Sequence, residues 1–212
     1  LDPIQLTITN WDALMGEGTL DDCHAPVHPH HAELGQRHFK FGKNLWIERT
    51  DFEEVPSKGF FRLFPGNKVR LKYGHIIECT GANKDANGQV IEVLAQLIPD
   101  TKSGTPGSDS VKVKGVITWV SQADAIKAEV RLYDRLFTEA NPDAGGKDFL
   151  ASLNPDSLKV IEAYVEPSLA NSKPDEKFQF ERHGYFVADR ADHQGTKPVF
   201  NRSTGLKDTW SK

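Results

Sequence analysis

The sequence reads as an all-β protein built of two antiparallel β-barrels with few short helices. Three observations predict this. Short runs that alternate apolar and polar residues recur along the 212 residues, turn-forming residues separate them, and helical periodicity is scarce. Alternation is the two-residue period of a half-buried strand. Many short strands with turns between them mark sandwiches and barrels, and full closure of a sheet removes its exposed edges.

The elements follow in order. Residues 5–9 and 45–49 alternate. In 69–73, Val69, Leu71 and Tyr73 alternate with Lys68, Arg70 and Lys72, and a second run follows at 75–79. Residues 90–97 come after Asn87-Gly88, the strongest short hairpin signal. Runs at 111–120, 128–133, 160–165, 178–180 and 185–188 complete the series, with His183-Gly184 as a turn between the last two. Helix is expected only at 146–153, where Asn154-Pro155 ends it. The stretch 100–110, DTKSGTPGSDS, has no apolar residue and is either a flexible loop or the seam between barrels. Residues 140–147 and 171–176 look like surface loops. These signals place a first barrel at 1–110 and a second at 111–212.

Composition limits the function. The formal charge is −4 and the pI about 6.1, so any polyanion must meet a local basic patch rather than a globally basic surface. The longest apolar stretches fall far short of a membrane span, and no signal-peptide pattern opens the chain. Two cysteines, Cys23 and Cys79, make no disulfide framework, which points to a reducing cytoplasm. The start at Leu1 and a single methionine, Met15, suggest a piece of a longer polypeptide.

The local patch is VPSKGFFRLFPGNKVRLKYGH at 55–75, with Lys58, Arg62, Lys68, Arg70 and Lys72 and no acidic residue. Phe60, Phe61, Phe64 and Tyr73 are interleaved with these cations. Cations neutralise phosphates, and aromatic or guanidinium planes stack on unpaired bases, so the mixture suits single-stranded nucleic acid. Alternate residues of a strand lie about 6.5–7 Å apart, near the spacing of successive phosphates in an extended strand. A strand edge guarded by lysines against aggregation accounts for the same spacing.

Catalytic readings find little support. His24, His28, His30 and His31 crowd one segment beside Cys23, and imidazole with thiolate suits zinc, but C-H-x3-H-x-H-H matches no standard finger. Pro26 and Pro29 mark that stretch as an extended loop. No phosphate-binding loop, dinucleotide fingerprint or G-x-S-x-G occurs. The acid pairs Glu53-Glu54 and Asp21-Asp22 read as solvated loop charges, because neighbours on a strand face opposite ways.

Three strings carry a specific resemblance: GVITWVSQADAIKAEVRLYDRLF at 115–137, FQFERHGYF at 178–186 and KPVFNRSTGLKDTW at 197–210. With LDPIQLTITN at 1–10 and LWIERTDF at 45–52, they resemble the C-terminal region of bacterial glutaminyl-tRNA synthetases, in order along essentially the whole chain. The resemblance implies two ribosomal-protein-like β-barrels that bind the anticodon loop of the glutamine tRNA, with the strand 1–10 joining the second barrel. It implies a class I catalytic core elsewhere in the same polypeptide, using ATP and Mg2+ to charge the tRNA with glutamine. Neither an HIGH-like nor a KMSKS-like signature occurs here, so this chain by itself is expected to be catalytically inactive, with no cofactor of its own. A monomer that binds tRNA, without DNA or membrane, is the expected partner set.

The resemblance also implies base-reading residues. Arg62 in FFRL matches the arginine near the third anticodon base, and a guanidinium fork suits guanine O6/N7 or a phosphate. Two family arginines flank a leucine downstream; here the string is Arg70-Leu71-Lys72, and lysine keeps the charge but loses the bidentate fork. Gln179 and Arg182 match the readers of the central uracil, since an amide both donates and accepts. Residues three apart on a strict strand face opposite ways, so the strand must end or bulge near Arg182. Phe178 and Phe180 are expected in the core, Phe61 either on a base or inside. His30 and Lys58 complete the implied RNA-binding set. A barrel for ribosomal RNA, the related region of a glutamyl-tRNA synthetase and a purely structural role are the alternatives.

Overall fold

The computed structural model describes residues 1–206. The last four positions of the 197–210 string therefore lie outside the described residues, as does the end of the expected second barrel. The chain is mostly strand: β1 (Pro3–Ile8), β2 (Asp21–Pro26), β3 (Gln36–Phe41), β4 (Asn44–Glu48), β5 (Lys68–Leu71), β6 (Ile76–Lys84) and β7 (Val90–Leu97) come first. They are followed by β8 (Gly115–Ile117), β9 (Trp119–Ser121), β10 (Ile126–Tyr133), β11 (Leu158–Val165), β12 (Lys177–Phe180), β13 (Gly184–Ala188) and β14 (Val199–Thr204). The one α-helix among the described residues, α1 (Trp11–Met15), is a single turn and a fraction. At 146–153, where a helix was expected, only short 3-10 turns form, Ala144–Gly146 and Phe149–Ser152.

Two compact units result, Asp2–Ile126 with Tyr164–Leu169, and Lys127–Ala163 with the residues from Ala170 on. The first contains a nearly closed seven-stranded sheet in the order β8-β5-β6-β7-β1-β4-β9, plus the β2-β3 hairpin. Alternation sends Ile4, Leu6, Ile8, Leu45, Ile47, Val69, Leu71, Val93 and Ala95 inward. Cys23 and Phe41 of the hairpin join the same core, and Trp11 stacks on Phe41 at 5.3 Å. The second unit is built on a five-stranded sheet, β11-β10-β14-β13-β12. Its buried residues include Val130, Ala163, Phe186, Val199 and Phe200, with Phe180 stacked on Phe186 at 4.2 Å.

Three expectations need correction. The N-terminal strand does not join the second barrel: β1 pairs antiparallel with β4 and parallel with β7, inside the first sheet. Its apolar face, Ile4, Leu6 and Ile8, completes that core, which explains the placement. The division does not fall at 110/111, because β8 and β9 close the first sheet on β5 and β4. The 100–110 stretch is thus a loop within the first unit and not a seam. The sheets are also not purely antiparallel, since β1-β7, β5-β8 and β10-β14 run parallel.

Candidate nucleic-acid interface

In the first unit the basic segment divides into three fates. Arg62 lies in a bend of the segment between Asp51 and β5, half-exposed at 37%. Its guanidinium carbon sits 4.8 Å from the Phe60 ring centre, and its Nη1 is 3.4 Å from Oδ1 of the fully buried Asp51. The backbone there is fixed from several sides. The Leu63 amide donates to the Asp51 carbonyl at 2.9 Å, and the Asn67 side-chain amide donates to the Arg62 carbonyl at 2.7 Å. A Cβ on Gly115 of β8 would lie 2.1 Å from the Phe61 carbonyl oxygen, so only glycine admits this approach. Arg62 is therefore a preoriented cation with an open side. Lys58 is exposed in the turn before it.

Lys72 follows β5, where Tyr73 turns the chain in the left-handed region at φ 62°. The Lys72 ammonium lies 5.3 Å and the Arg37 guanidinium 5.6 Å from the Tyr73 ring centre. Arg37 also pairs with Glu166. Cations on an aromatic ring gain about 0.5–2 kcal/mol depending on exposure, and so they hold their positions. Arg37 was missed by the sequence reading; its place in β3, two residues before Phe39, was the available signal.

Arg70 differs. Only 16% exposed, it donates to the carbonyls of Thr101 at 2.7 Å and Ser108 at 2.6 Å and to the Ser103 hydroxyl at 3.2 Å. Its donors fasten the 100–110 loop. Lys68 in turn lies 3.4 Å from Glu78 across the strand pair. The expected row of cations on one sheet face is thus largely used within the protein.

His30 is exposed, in the turn joining β2 to β3, with its ring 6.0 Å from that of His28, which lies 4.6 Å from His31. Cys23 points the other way, into the core, and burial pushes its thiol up to about 12. A buried, protonated thiol is no zinc ligand for the exposed imidazoles. A second polar cluster lies inside. His75 Nε2 is 2.9 Å from Asp21 Oδ2, and the Lys102 ammonium donates to Asp21 Oδ1 at 2.7 Å. Burial holds His75 below its usual range. Burial would raise the Asp21 carboxyl, but Lys102 and His75 together hold it below the usual carboxylate range.

In the second unit the strand does end where the sequence argument required. β12 stops at Phe180, the His183 amide donates to the Phe180 carbonyl at 3.0 Å, and Arg182 takes a left-handed φ of 68°. Gln179 projects from β12 opposite Tyr185 of β13, both exposed, while Phe178 and Phe180 pack on Phe200. Directly opposite side chains lie about 4.5–5.5 Å apart at Cβ. Gln179 and Tyr185 thus stand opposite each other next to the turn that carries Arg182. Tyr185 was not singled out from the sequence, although the alternation around Phe186 put it on the outer face. Gly184 makes the turn possible: at φ 139°, its Cβ would sit 2.2 Å from the Thr204 carbonyl oxygen.

Among the described residues, aromatic rings, cations and an amide stand exposed on both β units. Two family models, both described as anticodon-binding domains of class I tRNA synthetases (E and Q), match residues 1–98 and 116–189. The glutamine–tRNA ligase of Cupriavidus necator is 65% identical over 212 residues, all of this chain and 36% of its own length. That of Cupriavidus taiwanensis is also 65% identical over the same span, and that of Bordetella pertussis 54% over 210 residues. The chain belongs to the class I tRNA synthetase family of the Glu/Gln type, as its anticodon-binding region. It spans about a third of the length of the curated relatives it matches, 36% for the first of them.

Proposed function

We propose that this chain is the anticodon-binding part of a glutamine–tRNA ligase and grips the anticodon loop of the glutamine tRNA. The observation that carries this reading is the match of both units to anticodon-binding models, together with 65% identity to a glutamine–tRNA ligase along the whole chain. Bases unstack and enter separate polar places, where a wrong base leaves a donor or acceptor unpaired. Gln179 offers both a donor and an acceptor to uracil, and Arg182 in its turn holds the adjacent phosphate or carbonyl. Arg62 presents its fork to guanine or to the backbone. Lys72 meets the first base, where a single ammonium accepts either C or U because it imposes no bidentate geometry. Lys58 and His30 add contacts at the margin, and Arg70 supports them by fixing the 100–110 loop.

The chemistry of charging belongs to a catalytic core of the same polypeptide, which takes ATP and Mg2+; no residue of this chain is assigned to them. The full protein works as a cytoplasmic monomer whose single macromolecular substrate is tRNA. No helix among the described residues is long and apolar enough to cross a membrane. Binding of this chain to anticodon stem-loops, with each anticodon base replaced in turn and at two salt concentrations, tests the reading. Affinity is expected to fall for every replaced base and to fall with salt by a log–log slope of about −0.7 per phosphate contacted. Equal affinity for all anticodons would refute it.

A further inference from the structure

Phe61 is the most exposed phenylalanine of the basic segment, at 52%, while its neighbours Phe60 and Leu63 are buried. Exposed aromatic rings are usually carried on mobile loops, where a stacking partner must first be ordered. Phe61 is different. The close approach of Gly115, where a Cβ would meet the Phe61 carbonyl oxygen at 2.1 Å, the Asn67 amide on the Arg62 carbonyl at 2.7 Å and the Phe60 amide on the Ser57 carbonyl at 3.0 Å fix the backbone on both sides of it. The Lys114 ammonium lies 5.2 Å from its ring centre. Phe60 is buried and in contact with Arg62, whereas the Phe61 ring is exposed beside Lys114.

We infer that Phe61, backed by Lys114, is a stacking platform for one turned-out nucleotide of the anticodon loop, with Lys114 meeting the adjoining phosphate. This rests on the anticodon-binding function proposed above and adds to it a recognition element that takes an aromatic base of any identity. A strand of RNA crossing the segment meets the Arg62 fork and the neighbouring Phe61 ring. Stacking on a ring that is already in place loses little conformational freedom on binding. The lysine beside the ring distinguishes this surface from an apolar protein contact, because it supplies the positive charge that offsets a nucleotide's phosphate.

The test uses the 212-residue chain and glutamine anticodon stem-loops, intact and with each loop nucleotide made abasic in turn. Phe61→Ala is expected to weaken binding of the intact stem-loop about 5- to 30-fold, within the range measured for base–aromatic stacking. Phe61→Trp should restore it, and Lys114→Gln should cost about 2- to 3-fold and reduce the salt slope. The Phe61→Ala effect must vanish for one abasic position and persist for the others. An equal loss on every abasic RNA, or no loss with the fold intact by circular dichroism, overturns the platform. Failure of the unsubstituted chain to bind any stem-loop would instead overturn the anticodon reading beneath it.

Discussion

Arg62→Ala separates binding from stability within one side chain. The guanidinium has three roles in the structure: an open face toward solvent, a ring contact with Phe60 at 4.8 Å and an ion pair with buried Asp51 at 3.4 Å. Loss of the ring contact costs about 0.5–1 kcal/mol at a half-exposed site. Loss of the counter-charge beside a buried carboxylate costs more, about 1–3 kcal/mol here, since complete removal of a buried partner costs about 3–5 kcal/mol and Arg62 is partly solvated. The unfolding free energy of the first unit should therefore drop by about 1.5–4 kcal/mol, read by urea titration. Loss of the RNA contact adds about 1–3 kcal/mol of binding, a rise in Kd of about 5- to 150-fold. Arg62→Lys divides the two: it keeps a charge near Asp51 and recovers most stability, but recovers little affinity if the planar fork reads a base. Affinity is measured at a temperature where both variants are folded. Unchanged Kd in folded Arg62→Ala would remove this residue from the interface, and an unchanged urea midpoint would refute the electrostatic role given to Asp51.

Three further outcomes are expected. Gly184→Ala puts a methyl 2.2 Å from the Thr204 carbonyl, so the second unit should lose about 2–4 kcal/mol and bind anticodon RNA less well, since Arg182 is carried by the adjoining turn; a thermal melt unchanged from the parent would contradict this. Acidification should destabilise the first unit in two stages. His75, held below its usual 6.5, stays neutral in the fold while unfolded chains take up the proton, so stability falls as pH drops below about 6.5. The Asp21 contribution, from a carboxyl held below 3.8, is present above that value and is lost as pH falls through its folded value; urea midpoints from pH 8 to pH 3 check both, and His75→Gln should flatten the upper stage. Asp189→Ala should destabilise the second unit by about 1–3 kcal/mol, because Asp189 accepts from the Asp192 and Ala191 amides, the Asn201 side chain and Arg131, which together hold it down at about 2; calorimetry reads the shift.

Much of this was legible in the sequence. The 90–97 run became β7 with the same ends, because its apolar alternation and the Asn-Gly turn agree. The strand end before Arg182 followed from requiring two residues three apart to serve one base. Other features were not legible. The hairpin β2-β3 alternates Cys23 and Ala25 inward against Asp22 and His24, but the prolines and histidines of 21–31 are a poor strand signal. Lys68, Arg70 and Lys72 share a face by spacing, yet spacing says nothing of the loop 100–110 that folds over Arg70 from the same chain. Tyr73 at positive φ ends β5 one residue before Lys72, so the row stops where alternation alone would have continued it. Long-range closure, as in β8 returning to β5, leaves no local mark at all.

The position of β1 between β4 and β7 has a consequence for how this molecule is made and handled. Strand β1 is a keystone with two neighbours, and one of them, Val90–Leu97, is synthesised only much later. Until then its apolar side has no permanent cover, and deleting Pro3–Ile8 would split the wall of the barrel down the middle.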